Sequence, residues 1–219
     1  MSDIFQEVDE DVRRDKAAEL WEKYQFVVYA AAALIVLATA AYRVYDYRQT
    51  ASRQAAGAIF QQALTLDSQG KSAEADAELK KLAADAPAGY RTLARFVEAA
   101  QTLKTDAKSG AAAYDALAND STVDPLLRDA ARLRAALARV DAGETDAAKS
   151  ALETLAVSGG AYRHTARLTL GSLALQNKDY ATAGKWFDAV VADPEAPDAE
   201  RRAAESLLGV VASNSPAAK

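Results

Sequence analysis

One histidine, no cysteine and a scatter of carboxylates are all that this chain offers to catalytic chemistry. His164 follows Tyr162 and Arg163 near the start of an expected helix, where an imidazole could ligate a metal or carry a proton. A zinc site needs several His, Cys or carboxylate ligands at short spacings. No second histidine or cysteine completes one, so His164 reads as a surface or helix-capping residue. Acidic pairs such as Asp9 with Asp11, or Asp193 with Glu195, could do general acid–base work only if both faced one cleft, and nothing in their spacing sets a pair apart. Glycine patterns that cradle phosphate or expose a nucleophilic serine are missing, and Gly159–Gly160 is a bare turn. The residues point away from an enzyme, with no cofactor, metal or small-molecule substrate expected.

What positions side chains here is helix. Half of the 219 residues are hydrophobic but only 7% are aromatic. Alanine dominates the apolar share, which favours helices and their close packing. The net charge is −5, of which −4 falls in residues 1–23, where eight acidic residues face four basic ones. The remainder is nearly neutral and carries no electrostatic footprint for nucleic acid.

From Tyr24 to Tyr42 nineteen residues run without a charge, bounded by Lys23 and Arg43. As a helix they span roughly 28 Å, close to the hydrocarbon core of a bilayer. Trp21 and Tyr24 on one side, and Tyr42 and Tyr45 with Tyr47 on the other, would put amphipathic rings at the two headgroup levels. A buried helix of a soluble core and a cleaved signal peptide ending near Ala38–Ala40 are the competing readings; the long acidic region before the run argues against cleavage. Four basic residues precede the span and three follow it closely, a slight bias toward a cytoplasmic N-terminus. The expectation is a single-pass signal anchor in a bacterial inner membrane, with the C-terminal domain periplasmic. Before the span, Ile4, Val8 and Val12 have the spacing of a weak amphipathic helix within an otherwise polar leader.

Beyond the span the sequence repeats. An alanine followed four residues later by a large apolar residue occurs at Ala75/Leu79, Ala113/Leu117, Ala148/Leu152 and Ala183/Phe187, at intervals of 38, 35 and 35 residues. Twelve residues upstream of each alanine stand Ala63, Gln101, Ala136 and Gly171, three of them small. Each unit reads as two helices joined by a polar turn, at 67–70, 106–110, 141–144 and 177–179, where glycine or asparagine suits the left-handed residue that ends a helix. Small residues would let the paired helices approach, with the leucine or phenylalanine plugging against the next unit. Asp198–Val211 has an aspartate cap and the apolar positions of one more, covering helix. The expected fold is therefore all-α: an acidic leader (1–23), a transmembrane helix (24–42), a helical connector (43–56), a solenoid of helix pairs with a C-terminal capping helix (57–211) and a flexible tail (212–219).

The period, with a small residue, an alanine, a large apolar residue and a proline at fixed places, resembles the tetratricopeptide repeat. The fourth unit matches best, through Leu170, Gly171, Tyr180, Ala183, Phe187 and Pro194. An acidic leader with Trp21 and Tyr24, one span, the Tyr45 and Tyr47 exit and then weak repeats resemble the ancillary subunit family of the bacterial Sec translocon. That resemblance implies an anchor beside the SecYEG channel and a repeat domain working with periplasmic chaperones on newly exported proteins. A scaffold for envelope assembly or cell division, or a purely structural membrane-complex subunit, is the other reading of the same residues.

In tetratricopeptide superhelices the first helix of each unit lines a groove for peptides. Carried onto this chain, the resemblance gives Phe60, Arg95, Glu98, Thr102, Arg134, Thr165, Leu168 and Ser172 as candidate groove residues. The family's clamps for a C-terminal carboxylate need several converging donors. Only Arg95 and Arg134 are cationic among these positions, so a mixed polar and apolar surface is expected in place of a carboxylate clamp.

Overall fold

The computed structural model describes residues 3–214, and all regular structure among them is α-helical. The chain divides into two compact units, Met1–Ala55 and Ala56–Lys219. The first helix, α1 (Asp3–Ser68), contributes to both. After it come α2 (Ser72–Asp85), α3 (Ala88–Thr105), α4 (Ala107–Ala118), α5 (Pro125–Asp141), α6 (Thr145–Leu155), α7 (Arg163–Gln176), α8 (Tyr180–Val191) and α9 (Asp198–Asn214).

In the first unit the apolar run lies on α1 and none of it is buried, which makes it a candidate membrane span. Trp21, Tyr24, Tyr42 and Tyr45 are all exposed. Trp21 packs edge-on to Tyr29 with ring centroids 6.2 Å apart, and the Lys23 ammonium lies 5.7 Å from the Tyr24 ring centre. Helix begins at Asp3, so the leader is helical backbone; the side chains of Ile4, Val8 and Val12 lie outside the described residues.

In the second unit the end of α1 pairs with α2, α3 with α4, α5 with α6 and α7 with α8, with α9 packed on α7 and α8. The repeat signature is the core. Leu79, Leu117, Leu152 and Phe187 are four of the five largest side chains that are completely buried. Each leucine sits between the first helix of its own unit and the first helix of the next. Leu79 clusters with Ala56, Ala63 and Ala94, Leu117 with Ala99, Ala131 and Ala135, and Leu152 with Leu133, Ala136, Ala166 and Leu170. Phe187 packs with Ala196 and Ala204, so α9 takes the place of a fifth first helix. Burying such a side chain contributes about 1.5–3 kcal/mol, and each plug contributes to two units at once, which is why the units cannot stand alone.

Three of the four within-pair turns share one geometry. Gly70 (φ 77°), Gly143 (φ 78°) and Lys178 (φ 59°) are left-handed. The following N–H groups of Lys71, Glu144 and Asp179 return to the carbonyls of Leu66, Arg139 and Ala174 at 2.8–2.9 Å, closing each helix in the same way. Two expectations are corrected here. The fourth turn puts its left-handed residue at Lys178 and leaves Asn177 at φ −81°. The second turn has none: Asp106 alone joins α3 to α4 in extended backbone, its carboxylate accepting from the N–H groups of Lys108 and Ser109. Gly110 is needed there for space, since a Cβ on it would stand 2.6 Å from the Leu103 Cα.

Helix α9 also departs from its expected bounds. Asp198 is its first residue, with the Pro197 carbonyl accepting from Arg201 N–H, and the helix continues to Asn214, three residues into the expected tail. The rest of that tail, 215–219, lies outside the described residues.

Candidate functional site

The repeat falters in its second unit, and the groove of the domain opens there. Where units one, three and four place Ala63, Ala136 and Gly171, unit two has Gln101. A glutamine is longer than those small residues and polar. The lead alanine Ala113 stays half-buried, whereas Ala75, Ala148 and Ala183 are completely buried. Gln101 itself donates through Nε2 to the Asp67 carboxylate at 3.3 Å, while its Oε1 is buried without a donor.

A groove with a volume of about 600 Å³ lies in this part of the domain, floored by α3 between α2 and α4. Asp76 and Lys80 come from α2, Arg95, Glu98 and Thr102 from α3, and Ala113 and Ala116 from α4. Asp67 and Lys104, 3.5 Å apart, close one end. Arg95 reaches out of it to the Asp120 carboxylate at 2.6 Å. The Thr122 hydroxyl and then Arg95 hold the Asp120 carboxyl well below the usual range. Thr102 gives its hydroxyl to the Glu98 carbonyl at 2.9 Å. Burial pushes the Glu98 carboxyl above its ordinary value; Lys80 opposes this, Asp76 adds to it and Arg95 opposes it.

Three of the eight groove candidates, Arg95, Glu98 and Thr102, thus meet in one place. Phe60 is half-buried against Tyr90 in the first core cluster, ring centroids 6.2 Å apart. Arg134 is exposed on α5. Thr165 donates to the Glu200 carboxylate of α9 at 2.8 Å, and Leu168 joins the cluster beneath that helix. Ser172 is half-buried, its hydroxyl returned to the Leu168 carbonyl at 2.8 Å. Helix α9 therefore covers the α7 face that corresponds to the groove floor in unit two. Asp76 and Lys80 lie on α2, the second helix of unit one, and Lys104 lies on α3 beyond the positions that the family pattern assigns to a groove, so that pattern pointed to none of the three; the anomalous Gln101 was the available signal.

His164 is corrected as well. It is buried, not a surface residue, at the second position of α7. Its Nε2 lies 3.0 Å from the Asp193 carboxylate, without the alignment of a hydrogen bond, and its Nδ1 lies 3.8 Å from that of Glu200. Asp193 also receives Arg163 at 2.7 Å and Arg167 at 3.1 Å. Arg167 continues to the carbonyls of Ala156 and Ala189, joining the ends of α6 and α8. The arrangement is an ionic hub between the third unit, the fourth unit and the cap, in which the Arg163 and Arg167 guanidiniums and the Asp193 carboxylate satisfy one another while the buried His164 Nε2 has no hydrogen-bond partner. No cluster of three potential metal ligands occurs among the described residues.

A family model described as a tetratricopeptide repeat-like domain matches residues 18–158, a stretch that begins before the apolar run and ends at the close of the third unit. No curated protein and no solved structure matches the chain.

Proposed function

The chain belongs to the tetratricopeptide repeat-like domain family, and from that premise we propose that it is a membrane-anchored protein-interaction scaffold, an ancillary subunit of the Sec translocon that brings newly exported proteins to periplasmic chaperones. The single observation that carries this reading is the extent of the family match. It starts at residue 18 and takes in the apolar run together with three helix pairs, which supports reading the candidate span and the repeats as one unit. Helical repeats of this kind present extended surfaces to protein partners. The span lies in the inner membrane with residues 1–23 cytoplasmic and the repeats periplasmic.

The test compares the intact protein with a version carrying an unrelated anchor, each crosslinked in cells and purified from membranes. SecYEG subunits recovered with the native span and lost with the foreign one support the assignment. Equal recovery with both, or none with either, contradicts it.

A further inference from the structure

The charged residues of the α2–α3–α4 groove are unevenly satisfied. Its cations on α3 are engaged, Arg95 by Asp120 at 2.6 Å and Lys104 by Asp67 at 3.5 Å. Asp76 and Glu98 have neither a donor nor an ion-pair partner, and the exposed Lys80 is the one unpaired cation among the lining residues. A half-buried carboxylate without a donor is unfavourable and rare in folded proteins. Glu98 is such a group, and the lone Gln101 Oε1 in the same wall marks a second unmet acceptor. Neither belongs to the hydrophobic core clusters that hold α3 to its neighbours.

We infer that this groove is a receptor for a cationic side chain, arginine or lysine, carried by an extended segment of a partner protein, with Glu98 on the floor and Asp76 on the α2 wall as the accepting carboxylates. The inference rests on the scaffold reading above and is independent of the Sec assignment. A guanidinium is planar and can donate to two carboxylates at once, which suits the pair. A partner carboxylate would meet two like charges, with Lys80 as the one free cation beside them. The volume of about 600 Å³ exceeds one side chain, so the flanking residues of the partner lie over Ala99, Ala113 and Ala116. Binding restores to Glu98 the charge that burial disfavours, so affinity falls as the pH falls through the Glu98 titration. Asp76 and Lys80 from α2 and Arg95 from α3 bear on that titration; Lys104 from α3 and Asp67 from α1 line the same groove, paired with each other, and α4 contributes only alanines.

The experiment is a selection from a random displayed peptide library on the full-length chain in lipid nanodiscs, repeated on Glu98→Gln and Asp76→Asn. Enriched peptides are expected to carry arginine or lysine at one fixed position. Replacing that arginine by citrulline, or Glu98 by glutamine, should weaken binding by about tenfold, the loss of one charge-assisted contact. Glu98→Gln should unfold at the same temperature as the parent or higher, because it deletes an unmatched half-buried charge. Enriched peptides that lack a fixed basic residue, that bind Glu98→Gln as tightly, or a Glu98→Gln protein that melts earlier, would each overturn the receptor assignment while leaving the scaffold reading intact. A library that yields no enriched peptide would overturn both.

Discussion

The edge of the Phe187 ring occupies the space that a side chain on Gly171 would need: a Cβ there would lie 2.5 Å from the nearest ring carbon. Helices α7 and α8 can therefore cross this closely only over a bare backbone. Gly171→Ala should destabilise the full chain in detergent by about 1–3 kcal/mol, the usual cost of overpacking a core. Combined with Phe187→Leu, which frees the space, the loss should be less than additive in a double-mutant cycle measured by denaturant unfolding.

Lys178 is the non-glycine residue with positive φ among those described, at a turn position where units one and three use Gly70 and Gly143. An L-residue in this region carries roughly 1–2 kcal/mol of strain. Lys178→Gly should stabilise by about 1 kcal/mol after the entropy of glycine in the unfolded chain is offset. Gly143→Ala should do the opposite, and thermal melts of the two variants check the pair.

Helix α7 is tied to the segment that follows α8 by Asp193, a carboxylate whose charge is maintained by its partners. The Arg163 hydrogen bond holds the Asp193 carboxyl well below its usual range, against its own burial, with Glu195 N–H and His164 adding to the effect. A depressed folded-state value means that the contribution is complete above the unfolded aspartate pKa of about 4 and is lost as pH falls further. The Asp193-dependent part of the acid transition, followed by Trp186 fluorescence in a Trp21→Phe background, should therefore lie below about pH 4. Asp193→Asn should lower the melting temperature at pH 7 by several degrees and remove that part.

The candidate span makes its own prediction. Leu34 lies within the exposed apolar run. An arginine there costs about 2.5–3.5 kcal/mol on insertion scales, and alanine-rich runs have little surplus to absorb it. Leu34→Arg should move a large part of the protein from the alkali-resistant membrane fraction to the soluble one, whereas Leu34→Ile should not.

How much of this was readable from the residues differs by element. Leu79, Leu117, Leu152 and Phe187 announced themselves because the repeat puts chemically similar side chains at a fixed period, and burial follows that period. The His164 hub was illegible, since Asp193 and Arg163 meet across 30 residues and no local pattern encodes the pairing. The fourth turn misled by one residue because asparagine tolerates the left-handed conformation better than lysine, yet the hydrogen bond from Asp179 to Ala174 sets the register. Along α7 the groove positions taken from the family pattern met a covering helix that the pattern does not include. In unit two the informative signal was a breach of the pattern, Gln101, which lines one groove with Asp76 and Lys80 of the neighbouring helix.

Photocrosslinking from the rim of that space tests the account most directly. A photoreactive amino acid replaces Thr105, which is exposed and lines the groove, or Glu205, which is exposed on α9, in the full-length protein in its native membrane. The account predicts discrete protein adducts from Thr105 that disappear with Glu98→Gln, and none of the same adducts from Glu205. Identical adducts from both positions, or Thr105 adducts that persist undiminished without the Glu98 charge, would contradict it.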